Sequence, residues 1–418
     1  MRACLPSKTI PHNRQPPWGL KLRSSTAFIV ATVWMSTFTD FLLYAMIVPV
    51  MPTALMTRAD VNYDDREYWV SVLLMCEAST ALIFCPIFGY LVDRARTRQF
   101  FFLGALIMLA GCALVVVTSF ALLNDSVSQE RLGQSIGYLG SAIASGFLLG
   151  PFMGGIVYHT GGYDSVFYVA YFIIAVDMGM RVALVEKKVA ERGQTGPRST
   201  RFAMFKILRQ RRVLISSWAL LVQGIFLSSF DATLSIFVES RYGWSALGMG
   251  LIFLPMAIPA FFEPVFGFIT DRFGARLMAF SCFLLLCPAI ICLRFAEANS
   301  TPHIALLITL LFLIGIFIHA CAPAMYVETQ LALTALESAD PGLLGPKGAV
   351  AQGFGLQSMC QFAGVFFGPL GGGFVEYRFG WGVMSAVLGV LAALTAVPML
   401  WLGETKDDDE ERQPLLSR

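Results

Sequence analysis

Asp40, Glu77, Asp231, Glu263 and His319 all fall inside long apolar runs, where an ionisable side chain is costly. A charge at the centre of a membrane-crossing helix costs about 2.5–3.5 kcal/mol on insertion scales, so it normally faces a cavity or a partner. A buried carboxyl group can exchange a proton near neutrality, and an imidazole titrates in the physiological range. The chemistry on offer is therefore reversible proton binding, together with pairing of a carboxylate to an organic cation. Each residue also has a structural alternative. Asp40 could be an acid paired to backbone or to a basic group, Asp231 could lie off any cavity, Glu77 and Glu263 could be satisfied packing acids, and His319 could be hydrogen-bonded in place. The four histidines are scattered and the nine cysteines lack paired metal-ligand spacing, which argues against a zinc site or a disulfide framework. No nucleophile, metal or phosphate-binding constellation is evident, so neither an enzyme nor a bound cofactor is indicated.

The elements that must position these groups are membrane helices. Hydrophobic residues make up 56% of the 418, and charged residues 14%, against about 25% charged in a soluble domain. A net charge of +2 gives no reason to expect a nucleic-acid partner. A spanning helix needs roughly 20 apolar residues. Such runs occur at 27–50, 68–92, 99–123, 133–157, 163–185, 213–238, 246–270, 277–296, 303–327, 350–375 and 381–402, about 11 spans in all. Residues 1–26 and the acidic tail 403–418 flank them, and the basic stretch 186–212 divides an N-terminal half, 27–185, from a C-terminal half, 213–402. Clustered Lys and Arg place both termini, the linker and the Arg94/Arg96/Arg98 loop on the cytosolic side.

The halves are copies. Gly137, Gly146, Gly150, Pro151, Gly154 and Gly155 recur at the same spacing as Gly355, Gly364, Gly368, Pro369, Gly372 and Gly373, an offset of 355−137 = 218 residues. Small residues let helices approach closely in lipid, and Gly-Pro introduces a kink. A second repeated element is Gly89, Asp93, Arg94 and Arg98, matched by Gly267, Asp271, Arg272 and Arg276. Its Asp is suited to a helix N-terminus or a basic side chain, and its arginines to the cytosolic surface. By this ruler the first half is short. Asp93 to Gly137 is 44 residues and Asp271 to Gly355 is 84, a deficit of 84−44 = 40. The longer loop 334–349 explains part of it, and the remainder matches one helix, expected to be absent between Phe120 and Asn124. Elsewhere, Asp177 and Arg181 have the spacing of an intrahelical ion pair, and Glu328 is expected to meet loop backbone.

These motifs resemble the major facilitator superfamily, and within it the drug:proton antiporters related to vesicular monoamine transporters. The matching residues are Gly89–Arg94, Gly137–Gly155, Asp40 with Pro49-Val50-Met51-Pro52, Phe230-Asp231-Ala232, Trp244–Gly250 with Phe253-Leu254-Pro255, and Gly353–Gly373. The resemblance implies an all-α polytopic membrane protein with two parallel six-helix halves, here lacking the fourth helix of the first. It implies a monomer that carries a small organic, drug- or amine-like substrate across the bilayer by alternating access, with the proton as coupling ion. Asp40 would be the substrate-cation carboxylate, with Asp231, Glu77 and His319 as further substrate or proton residues. The Asp93 and Asp271 loops would be cytosolic latches. Ile318 and Ser358 stand where vesicular amine members carry acids, which argues against a monoamine. A nutrient symporter and a non-transporting isoform are the alternatives. Glu411 to Leu416 matches an acidic di-leucine signal for sorting adaptors, so a vacuolar or vesicular membrane is an option beside the plasma membrane.

Overall fold

The computed structural model describes residues 23–47, 79–80, 82–93, 119–123, 127–184, 203–244, 248, 251–296, 298–340, 343–344 and 349–403. Helices account for almost all of them, and no strand occurs among the described residues. The principal helices are α1 (Thr26–Ile47), α2 (Leu82–Asp93), α3 (Leu132–Ala183), α4 (Arg211–Tyr242), α5 (Glu263–Phe273), α6 (Ala275–Cys292), α7 (Thr301–Ala339), α8 (Val350–Gly368) and α9 (Trp381–Met399). Among the described residues, eight helical stretches are long and apolar enough to cross a membrane. Large apolar side chains such as Ile83, Phe268, Leu284 and Leu394 are exposed on the outside of the bundle, as lipid contact requires and water would not favour.

Local chemistry explains where these helices break. Gly162, at φ 76° and ψ −173°, occupies a backbone region that is essentially glycine's alone. It divides α3 into two arms, 132–161 and 163–183, which correspond to the fourth and fifth runs of the sequence. The run 246–270 is not one rod. Pro255, Pro259 and Pro264 punctuate it into Leu254–Ala257, a 3-10 turn at Ile258–Phe262, and α5. After Gly368 the second Gly-Pro element opens into a π-helical turn, Pro369–Gly373, whereas α3 continues as α-helix through Gly150 and Pro151.

Glycine faces set the packing within each half. On α3, Gly146, Gly150 and Gly154 lie directly against the backbone of α1 at Leu42 and Met46. Gly364 and Gly368 of α8, with Gly372 of the π-helical turn that follows, do the same against α4 at Ile225 and Ser229. A side chain at any of them would force the helices apart. The registers agree: Gly146 meets the Leu42 amide as Gly364 meets the Ile225 amide, and 225−42 = 183 while 364−146 = 218. The duplicated motif is thus one packing surface used twice.

Two further seams join the halves. Gly89 of α2 meets the Ala351 carbonyl of α8, and Gly267 of α5 meets the Gly133 carbonyl of α3. Here 267−89 = 178 and 351−133 = 218, so between α2 and α3 the first half has lost 218−178 = 40 residues relative to the second. The expected position of the deficit, between Phe120 and Asn124, falls on a short described stretch: 94–118 and 124–126 lie outside the described residues. Ser119–Leu123 is helical and buried, and the Leu123 carbonyl accepts from the Val127 amide at 2.9 Å. Phe120 stacks on Tyr326 of α7 at 4.2 Å and on Phe354 of α8 at 5.2 Å.

Candidate functional site

Helices α3 and α8 begin without a side-chain cap of their own; their N-cap residues are Arg131 and Ala349. The first amides of a helix have no partner within it and need acceptors. Both helices find them across a seam. Asp93 accepts from the Ala351 and Gln352 amides at 3.0 and 2.8 Å. Asp271 accepts from the Gly133 and Gln134 amides at 2.8 and 2.9 Å. Each carboxylate does for the opposite half what an N-cap residue usually does for its own helix. The glycines Gly89, Gly355, Gly267, Gly137 and Gly133 bring the backbones close enough for this. Opening either seam would expose two uncapped amides, and opening both would expose four. Arg272 and Arg276 are exposed at this end, whereas Arg94 and Arg98 lie outside the described residues.

A polar centre lies deeper. The Tyr326 hydroxyl donates to Gln361 Oε1 at 3.1 Å, Gln361 Nε2 donates to Gln223 Oε1 at 3.3 Å, and Gln223 Nε2 donates to the Ile318 carbonyl at 2.9 Å. This chain links α4, α7 and α8. The α1-to-α4 register of 183 makes Gln223 the counterpart of Asp40, since 40+183 = 223. The half-buried Asp40 is therefore the first half's charged version of an amide position in the second. Asp231 is two helical turns beyond Gln223 on the same helix and is exposed. Glu77 lies outside the described residues.

His319 does not stand alone. Its Nδ1 is 2.7 Å from Glu263 Oε1, with side-chain exposures of 15% and 8%. The other oxygen of Glu263 fills a niche that only Gly140 leaves open on α3: a Cβ at Gly140 would collide with it. The structure thus brings together a histidine and an acid from two apolar runs, at the junction of the halves. The signal available in the sequence was small: Glu263 lies between Pro259 and Pro264, where a helix restarts and a carboxylate is favoured.

Other residues resolve simply. Asp177 and Arg181 form the intrahelical pair at 2.6 Å, and Ser36 of α1 donates to Asp177, also at 2.6 Å. Glu328 does not serve loop backbone; it pairs with Arg212 at 2.5 Å, buried between α7 and α4. The basic stretch 186–212 thus overlaps a helix at its end, since α4 starts at Arg211 and includes Arg212. Of the linker, 186–202 lies outside the described residues, as do the segment Glu411–Leu416 and the side chain of Pro151. The described cysteines, Cys85, Cys282, Cys287, Cys292, Cys321 and Cys360, are free thiols, and no metal-holding cluster occurs among the described residues.

The sequence profile of the Major Facilitator Superfamily matches residues 110–332 and 251–416. The MFS-type transporter ppzB of Metarhizium rileyi is 28% identical, over 91% of this chain and 95% of its own length. That alignment runs over 462 positions, so at least 462−418 = 44 of them are filled in the relative alone. Multidrug resistance protein 1 of Bacillus subtilis is 23% identical, over 84% of this chain and 92% of its own. Among solved structures, the human organic anion transporter MFSD10 superposes with a TM-score of 0.68 at 17% identity, covering 92% of this chain and 100% of that one. At that identity the likeness is one of fold.

Proposed function

Because the chain belongs to the Major Facilitator Superfamily, and is therefore an integral multi-pass protein of a family that transports small molecules across membranes, we propose that it is a proton-coupled antiporter of small organic molecules, cations among them. The observation that carries this reading is the pairing of a closed basic end with a polar interior. Two carboxylates cap helices of the opposite halves at that end, while Asp40, Asp231 and the Gln223–Gln361–Tyr326 chain lie deeper. This is the expected layout of an alternating-access carrier shut on its cytosolic side, with its polar site between the halves. Asp40 supplies the negative charge for an organic cation or a proton, and the glutamines and Tyr326 supply neutral hydrogen bonds. The name of the Bacillus subtilis relative, a multidrug resistance protein, favours a drug-like substrate.

Reconstitution of the full chain in proteoliposomes tests this, with ethidium as the organic cation and an imposed pH gradient. Uptake should depend on the gradient and be lost in Asp40→Asn. Uptake indifferent to the gradient refutes antiport, and wild-type uptake in Asp40→Asn refutes the role of Asp40.

One observation favours a second reading. The 40-residue deficit between α2 and α3, with at least 44 relative-only positions in the ppzB alignment, fits a shortened form that does not transport. Its signature is a chain that is inert in the same assay and gains uptake when a helix of the relative's sequence is inserted between α2 and α3.

A further inference from the structure

The seam between α5 and α3 holds a pair of titratable groups, Glu263 and His319, that has no equivalent among the described residues of the seam between α2 and α8. Glu263 is buried, its carboxyl group between His319 of α7 and the Gly140 niche of α3. The counterpart of Glu263 is Cys85, since 263−85 = 178, and the geometry shows the match: Gly137 meets the Glu263 carbonyl as Gly355 meets the Cys85 carbonyl. The counterpart of Gly140 is Ser358, since 140+218 = 358. One seam therefore contains an acid, an imidazole and a cavity shaped for the acid, and its twin contains a thiol and a hydroxyl.

We propose that Glu263 and His319 form a proton-binding site whose occupancy decides whether the α5–α3 seam stays closed. The pair has no net charge when it holds one proton, either as carboxylate with imidazolium or as acid with neutral imidazole. In that state the short contact satisfies both groups and a dry, glycine-lined seam can close on them. Loss of the shared proton leaves the pair with a net negative charge, a carboxylate supported only by a neutral ring and held in a niche walled by Gly140. Relief comes from parting α5 from α3, which admits water and also pulls Asp271 off the Gly133 and Gln134 amides. Proton release thus opens the seam and proton uptake closes it.

The neighbours leave the decision to this pair. The other titratable groups bearing on Glu263 are the Cys321 thiol and Tyr326 phenol of α7, with Cys282 of α6 acting on Cys321. From α3 comes Tyr138, which is exposed, and from the turn before α3 come Glu130 and Arg131, both exposed. Asp271, on the same helix as Glu263, is eight residues away, about 12 Å along the axis, and is already engaged with its two amides. His319 is the charged partner.

For its use in coupling, the inference rests on the antiport reading; the site itself can be tested without transport. Nitroxide labels at Arg131 and Phe273, both exposed at the ends of the two seam helices, report their separation in the purified full chain in nanodiscs. The expected result in the wild type is a short distance at about pH 5 and a longer one at about pH 9, with a single midpoint between them. Glu263→Gln, which keeps a polar group beside His319 but cannot ionise, should stay short throughout. His319→Asn should move the midpoint to lower pH, because the proton loses its second binding atom. A wild-type distance that ignores pH overturns the proposal, as does a Glu263→Gln distance that follows pH like the wild type, or an unmoved midpoint in His319→Asn. The wild-type titration decides alone if either variant fails to fold. Ethidium uptake by the same purified chain in proteoliposomes separates the two claims: a seam that responds to pH in a chain without gradient-driven uptake sinks antiport and leaves the site standing. Gradient-driven uptake with a pH-blind seam does the reverse.

Discussion

The two seams between the halves use the same parts and differ in what they enclose. In both, a glycine-faced helix end lets a carboxylate from one half cap a helix of the other with two hydrogen bonds. The α2–α8 seam is the drier lock: Asp93 is 4% exposed, and Ala351 and Gln352 are buried. The α5–α3 seam has closer backbones, with Gly267 directly on the Gly133 carbonyl, and a less buried carboxylate in Asp271. It also carries Glu263 and His319 where its twin has Cys85. On the proposal above, two latches built alike differ in one respect: one is sensitive to protons while the other is mechanical. An alternating-access carrier needs one such asymmetry, because a seam indifferent to its ligand cannot couple anything.

The comparison is broken most severely by filling the glycine contacts. Gly267→Ala places a methyl group into the Gly133 carbonyl, so the backbones must separate. The cost expected of overpacking is about 1–3 kcal/mol, with loss of closure at that seam. Gly89→Ala leaves its methyl 2.6 Å from the Ala351 carbonyl, a milder overlap. Thermal unfolding in detergent should therefore rank Gly267→Ala below Gly89→Ala. The reverse order would mean that α2–α8 is the tighter junction.

Removing the caps should invert that ranking. Asp93→Ala leaves the buried Ala351 and Gln352 amides without their acceptor, at about 1–3 kcal/mol for an unsatisfied buried donor. Asp271→Ala exposes the Gly133 and Gln134 amides at a wetter site, where the loss of a helix-end charge costs about 0.3–1 kcal/mol. Thiol labelling of a cysteine placed at Arg131 or at Leu91, both exposed, would show which seam opens in each variant. Equal losses from the two alanines would show that burial does not distinguish the latches.

How much of this could be read from residues alone depends on which signal carried it. Glycine spacing survives duplication where the glycine meets a backbone, as Gly137, Gly146, Gly150 and Gly154 and their counterparts Gly355, Gly364 and Gly368 do, because backbones cannot change. That is why Gly137–Gly155 and Gly355–Gly373 were legible, and why the deficit of 40 could be counted before any coordinates. The Asp93 and Asp271 element was legible too, although the amides it caps were not, because a helix start carries no side-chain signature when its cap comes from elsewhere. Side-chain pairings fared worst. The link between Glu263 and His319 joins α5 to α7 across 56 residues, and that between Arg212 and Glu328 joins α4 to α7 across 116. Each member looks like an isolated charge in its own run. The equivalence of Asp40 and Gln223 was hidden for another reason: α1 and α4 kept their packing register while almost none of their residues stayed alike.

The smallest expected effect sharpens the contrast most. Ser358→Gly gives the α2–α8 seam the empty niche that Gly140 provides in its twin, without an acid to fill it, since the facing position is Cys85. Exchanging Ser for Gly inside a helix costs about 0.5 kcal/mol, and Ser358 is fully buried, so a small void adds little. If the proton response belongs to Glu263 and His319, the pH dependence of the Arg131–Phe273 distance should be unchanged in Ser358→Gly. A shifted midpoint would mean that the two seams exchange information through α8, and that the mechanical latch takes part in the chemistry of the other.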